Sequence, residues 1–283
     1  MSAGRGSGAS YVTTPTRFVV ADGATFAYRE LGTGDGMPVL FCNHLAATLD
    51  NWDPRVIDAI ARERRVITFN QPGVGASTGQ AKDSVVAMAA DARTFVAALG
   101  LEQVDVLGFS LGGMVAQVLA AAHPEAVRKV VLAGTGPAGG HRIDAVAGVT
   151  YRAMIRGALT RRDPKEYLFF NRNTAGKQAA RDFINRLRER TIDRDEPITV
   201  PAFRTQLKAI KAWGRAEPAD LSRLTQPTLV VNGDNDKMVP TSLSEDLHRR
   251  LPDSHLVIYP DSGHGAIFQY HDEFSTRVLE FLA

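Results

Sequence analysis

The 283-residue sequence contains one cysteine, Cys42, so no internal disulfide can form and a reducing, cytoplasmic setting is expected. No apolar run is long enough to cross a bilayer. Neither sign of charge dominates: 33 Lys and Arg stand against 31 Asp and Glu, a formal net charge of +2. That balance gives no argument for a nucleic acid or a membrane surface as partner. No set of His, Cys, Asp and Glu shows the spacing of metal ligands, so no metal or other cofactor is expected. The opening MSAGRGSGAS lacks the apolar stretch of a signal peptide, and residues 1–12 read as a floppy tail. Internal repeats are absent.

What remains is 44% hydrophobic, enough for one large α/β core, or for a core with an inserted subdomain. Candidate strands are 17–20, 25–30, 38–43, 65–70, 104–109, 129–134, 227–232 and 255–259. The last six are near-continuous apolar runs without alternation, as in strands buried on both faces of a parallel sheet. The first two, separated by ADGA, read as an antiparallel hairpin at one edge. Helical patterns lie between the runs. One covers 84–99 and ends at Gly100; another, GMVAQVLAAA (113–122), is almost free of charge and reads as a buried central helix. The alternation predicts a doubly wound, mostly parallel α/β sheet with its core in 13–136 and 219–283.

Between 137 and 218 no strand candidate occurs. Ala180, Phe183, Ile184 and Leu187 fall on one helix face, and Phe203, Leu207, Ile210 and Trp213 on another. This all-helical insert reads as a lid. Residues 142–215 carry 17 Lys and Arg against 8 Asp and Glu, whereas the remainder is net acidic. The surplus suits either solvated faces resting on an oppositely charged base or a positive rim that draws in anionic substrates. Arg161 and Arg162 are the first candidates for such a rim.

Residues 106–113, VLGFSLGG, end a predicted buried strand on a G-x-S-x-G turn and lead straight into the buried helix. This is the nucleophile-elbow pattern. It sets Ser110 on a sharp turn with its hydroxyl above the sheet and a helix N-terminus pointing at the site. A tight turn with an idle serine is the alternative. A serine hydroxyl needs a base, and the base an orienting group. Asp234 and Asp236 follow the strand 227–232, and His264 follows the strand 255–259. Of the seven histidines, only His264 lies in a glycine-flanked loop at the C-terminal end of a strand, where open α/β sheets build their sites.

With these motifs in hand, the chain resembles the small-lidded α/β-hydrolases: enol-lactonases, C–C bond hydrolases, haloperoxidase-like esterases and related carboxylesterases. The resemblance runs from about residue 17 to 283 and is weakest in the lid. It implies that the acid is the last carboxylate of a G-x-x-D turn, which favours Asp236 over Asp234. FNQPGVGAS (69–77) resembles a structural turn of the family, with Asn70 where aspartate is common. Asn43 and His44 stand where His-Gly is usual, a departure that enol-lactonases share. Counting back from Trp52, Leu45 takes the place whose backbone N–H faces the oxyanion, and Leu111 N–H supplies the second donor. His44 is then either a structural histidine held under the loop or a polar group lining the substrate cavity. Phe109, Trp213 and Met238 are candidate pocket walls, with plain packing as the alternative for the two aromatics.

The resemblance implies a cofactor-independent serine hydrolase acting on a small-molecule carboxylic ester, thioester or lactone through an acyl-enzyme. Ser110 would attack, His264 serve as base and acid, and Asp236 orient it. Cleavage of a C–C bond in a vinylogous diketone by the same triad is one alternative. A ligand-binding receptor on the same scaffold is another. Members of this fold that attack with a carboxylate are set aside by Ser110, and homo-oligomerisation stays open.

Overall fold

The computed structural model describes residues 10–34 and 36–283. Four of the six apolar runs become strands with no exposed face: every residue of β3 (Val39–Cys42), β4 (Val66–Phe69), β5 (Val104–Phe109) and β7 (Thr228–Gly233) is buried, whereas the run 129–134 is mostly buried and 255–259, at the sheet edge, is largely half-buried with His255 exposed. With β1 (Arg17–Ala21), β2 (Ala24–Leu31), β6 (Val127–Ala133) and β8 (Ser254–Tyr259) they form one eight-stranded sheet in the order β1-β2-β4-β3-β5-β6-β7-β8. β1 and β2 are the antiparallel hairpin, with Arg17 opposite Tyr28, and β2 is also antiparallel to β4. All other pairings are parallel. The crossover from β3 to β4 and back to β5 places β5, with the serine at its end, near the centre of the sheet.

Helices α1 (Pro54–Ala61), α2 (Val85–Ala98), α3 (Leu111–Ala122), α8 (Thr241–Arg250), α9 (Ala266–Gln269) and α10 (His271–Leu282) cover the sheet. Each boundary has a local cause. Asp53 caps α1 by accepting the Arg55 N–H ahead of Pro54 in the first turn, and Gly100 follows α2 at φ 70°. α3 carries no charge and is buried along most of its length, as its composition requires. Among the described residues no helix is long and apolar enough to cross a membrane.

Residues 1–9 of the expected tail lie outside the described residues, but the tail assignment fails for 10–12. Ser10 Oγ and the Tyr11 N–H both donate to the Asp58 carboxylate, at 2.7 and 2.6 Å. The Tyr11 side chain is buried, and its hydroxyl donates to the Leu49 carbonyl at 2.6 Å. Burial pushes that phenol up to about 12. A large aromatic with a satisfied hydroxyl is worth more inside than in solvent, whatever the glycines and serines before it suggest.

Between β6 and β7 the described chain is helical throughout its regular elements: α4 (Val146–Thr160), α5 (Lys165–Leu168), α6 (Thr174–Leu187) and α7 (Val200–Arg215). The apolar stripes of α6 and α7 face inward through Ala180, Phe183, Ile184, Phe203, Leu207 and Ile210. Charge fastens the C-terminal part of α6 and the following loop to the core. Arg186 meets the fully buried Asp53 at 2.6 Å, and Asp50 receives Arg29 at 2.8 Å and Arg190 at 3.6 Å. Asp195 reaches back across the boundary, accepting the backbone N–H groups of Leu49 and Ala76 and the side-chain amide of Asn70, at 2.9, 2.8 and 2.6 Å. Arg186 and Arg190 of the helical segment therefore rest on acids of the base.

Candidate active site

Ser110 joins β5 to α3 at φ 57°, ψ −115°, a conformation that L residues rarely adopt. The glycines on either side make the turn sterically possible. A Cβ on Gly112 would stand 1.9 Å from the Cys42 carbonyl oxygen, and one on Gly108 2.3 Å from the Gly112 oxygen. The turn is pinned by its own backbone: Ser110 N–H donates to Ala133 O, and Thr135 Oγ1 donates to Ser110 O, each at 2.9 Å. Two N–H groups beside it, those of Leu45 and Leu111, have no acceptor among the described residues. Leu111 is the first residue of α3, so its free N–H is one of the four that every helix leaves unpaired.

His264 lies on the loop after β8, and its Nδ1 is 2.7 Å from Asp236 Oδ2. A carboxylate only accepts, so Nδ1 carries the proton and Nε2 keeps a lone pair. The other oxygen of Asp236 accepts the backbone N–H groups of Met238 and Val239 at 2.8 and 2.9 Å, which fixes the carboxylate. Asp234 accepts instead from the N–H groups of Asp261 and Ser262, so of the two carboxylates on this loop only Asp236 touches the imidazole. Among the described residues Ser110 Oγ makes no hydrogen bond of its own.

A cavity of about 240 Å³ is bordered by Ser110, His264, His44, Leu45 and Met238 from the core. From the helical segment come Met154, Lys165, Phe169, Val200 and Phe203 among others. Sequence reading missed Lys165 and Phe169. The ring of Phe169 lies 5.6 Å from that of His264, and the pair Phe169-Phe170 next to a basic stretch was the available signal. Lys165 Nζ lies 3.6 Å from Asp163, which also borders the cavity, so cation and anion enter together. Arg161 and Arg162 do not line it, and Arg162 pairs with Glu166.

Two expected pocket walls are corrected. Phe109 is fully buried below the site, its ring 4.9 Å from that of His264, and does not line the cavity. It supports the imidazole from the core side. Trp213 borders a separate cavity with Gln117 and Leu221, and its Nε1 donates to Gly136 O at 3.1 Å. It shares a stripe with Phe203, but ten residues of helix separate their Cα atoms by about 15 Å, and of the two only Phe203 borders the cavity.

His44 satisfies both of its readings. Its Nδ1 is 2.8 Å from the Leu45 carbonyl, which ties it into the loop, and its ring borders the cavity with Phe109 and Phe169 edge-on at 5.3 and 5.2 Å. Burial, reinforced by Lys165, pushes the imidazole down to about 3. Among the described residues no group of His, Cys, Asp and Glu side chains converges as a metal site would need.

A hydroxyl on a strained turn, an imidazole oriented by a buried carboxylate and two unused N–H groups are the components of nucleophilic acyl chemistry. Comparison with known proteins agrees with the fold around them. The family model described as alpha/beta hydrolase fold matches residues 37–269. An alpha/beta hydrolase fold protein from Chitinophaga pinensis superposes with a TM-score of 0.92 at 37% identity, covering 97% of this chain and 99% of that one. A 2-hydroxy-6-oxononadienedioate/2-hydroxy-6-oxononatrienedioate hydrolase from a Pseudomonas species is 29% identical over 90% of each chain. A pimeloyl-[acyl-carrier protein] methyl ester esterase from Nitrosomonas europaea is also 29% identical, over 86% of this chain and 94% of its own.

Proposed function

Because this chain belongs to the alpha/beta hydrolase fold family, we propose that it is a serine hydrolase cleaving a small carboxylic ester, thioester or lactone through an acyl-enzyme. The observation that carries this reading is the buried Asp236–His264 pair, 2.7 Å apart, bordering the same cavity as a serine held at φ 57°. Ser110 Oγ attacks the carbonyl carbon while His264 Nε2 takes its proton and later returns it to the leaving group. Asp236 keeps the imidazole in the productive tautomer and stabilises the imidazolium. The N–H groups of Leu45 and Leu111 receive the oxyanion, and water activated by His264 frees the acyl group. The base contributes about 10²–10⁴ in rate, and each oxyanion donor about 10²–10³.

Residues 137–218 act as the lid. They supply Met154, Phe169, Val200 and Phe203 to a cavity that is small for a ligand site, so the substrate is compact and largely apolar. C–C bond hydrolysis of a vinylogous diketone is the second reading, supported by the Pseudomonas relative. A fluorophosphonate probe tests the nucleophile: wild type is labelled, Ser110→Ala is not, and unlabelled wild type overturns the reading. Turnover of simple esters and of vinylogous diketones by the same preparation then separates the two reactions.

A further inference from the structure

His44 borders the cavity with one nitrogen satisfied and the other not. The Leu45 carbonyl can only accept, so the 2.8 Å contact puts the proton on Nδ1 and leaves Nε2 as an acceptor. That Nε2 is buried and has no hydrogen-bond partner among the described residues. Leaving such an acceptor unmet is costly, and a bound donor removes that penalty.

Two donors around the cavity have other partners, and the hydroxyl protons of Ser110 and Thr199 do not reach Nε2, which has no partner among the described residues. Thr150 Oγ1 donates to Val146 O at 2.9 Å, and Lys165 lies against Asp163. Ser110 needs its proton for His264. Phe109 and Phe169 close two sides of the ring with apolar edges. No protein donor thus meets Nε2 among the described residues, and a hydroxyl group of the substrate can supply one. His44 is also covalently next to Leu45, whose N–H is unused, so a group held by His44 lies close to the acyl carbonyl.

We propose that His44, in its Nδ1–H tautomer, recognises a hydroxyl group carried by the substrate next to the scissile carbonyl, accepting its hydrogen bond at Nε2. This makes 2- or 3-hydroxyacyl esters and the corresponding lactones the favoured substrate class, and it rests on the reading of Ser110 as nucleophile. Burial and the neighbouring Lys165 and His264 keep the imidazole neutral, so it offers a lone pair to a hydroxyl and no charge to a carboxylate.

The test compares kcat/KM for ethyl hexanoate with that for ethyl 2-hydroxyhexanoate and ethyl 3-hydroxyhexanoate, in wild type, His44→Phe and His44→Gln. Wild type should favour one hydroxy ester by about tenfold or more. The preference should fall to near one in His44→Phe and return in part in His44→Gln, whose amide oxygen can accept. Competitive inhibition of wild type by the matching acids reads the same contact without a variant: the hydroxy acid should bind about tenfold more tightly than hexanoate. Equal ratios in wild type and His44→Phe, or equal inhibition by the acids, overturn the assignment of His44 alone if the fluorophosphonate probe still labels Ser110. No labelling and no turnover overturn the nucleophile and this inference together.

Discussion

Asp234 and Asp236 stand two residues apart and hold different things: Asp234 grips the backbone of the His264 loop, and Asp236 grips the imidazole itself. Substitution by asparagine separates the two. Asp236→Asn should lower kcat by about 10³–10⁴-fold, because the wrong tautomer then faces the serine. Asp234→Asn should leave kcat within a few-fold and lower stability by about 1–2 kcal/mol through weaker acceptance of the Asp261 and Ser262 N–H groups. Steady-state kinetics paired with denaturant melts measures both; exchanged phenotypes would move the triad to Asp234.

The conformation of Ser110 has a thermodynamic signature. At φ 57°, ψ −115° a side chain is strained by about 1–3 kcal/mol, and glycine is not. Ser110→Gly should therefore unfold at higher denaturant than wild type while losing hydrolysis by about 10⁴-fold or more. Ser110→Ala, which keeps a Cβ, should lose the same activity without that gain. A glycine variant no more stable than the alanine variant would remove the strain from the account.

Acid stability should report on His44. Its imidazole is pushed from 6.5 in the unfolded chain down to about 3 in the fold, so between these values the unfolded state binds the extra proton. Stability contributed by the neutral ring is whole above about pH 6.5 and is lost as pH falls toward 3, with a slope approaching about 1.4 kcal/mol per pH unit. In His44→Phe the acid limb of the stability profile should be shallower. Equilibrium melts from pH 7 to pH 4 measure the difference.

Salt response should be ordinary. Arg186 and Arg190 face Asp53 and Asp50, Arg162 pairs with Glu166, and the cation bordering the cavity, Lys165, has Asp163 beside it. With little uncompensated charge at the mouth, kcat/KM for a carboxylate-bearing ester and for its neutral isostere should change in parallel as salt rises past the point where the Debye length is about 8–10 Å. A selective fall for the anionic substrate would restore steering by the helical segment. Separately, Asp53→Asn strands Arg186 and should cost about 3 kcal/mol.

The sheet was legible because strands buried on both faces leave no doubt about period or polarity. All eight runs became strands, with β6 starting two residues early, at Val127, where it pairs with Val104 across a bulge. The elbow was legible because two glycines and a strand-to-helix switch are local. Illegible parts depended on partners distant in the chain. Nothing near Tyr11 announces Leu49, and nothing near Asp195 announces Asn70 and Ala76. Phe203 and Trp213 share a stripe, and periodicity gives the stripe without saying which end of the helix borders the cavity.

The anchoring of the helical segment divides it unequally. Arg186, Arg190 and Asp195 tie α6 and the loop after it to Asp53, Asp50 and Asn70 of the core, whereas α4 reaches solvent with Tyr151, Ile155 and Leu159 while placing Met154 on the cavity. Descendants of this sequence can thus vary the outer face of α4 without loosening the docking that keeps the cavity roofed, while its inner face, Val146, Thr150, Ala153 and Gly157, stays buried. Selection for new substrates has a place to act that stability polices little, and a laboratory library confined to Tyr151, Met154, Ile155 and Leu159 would inherit the same freedom.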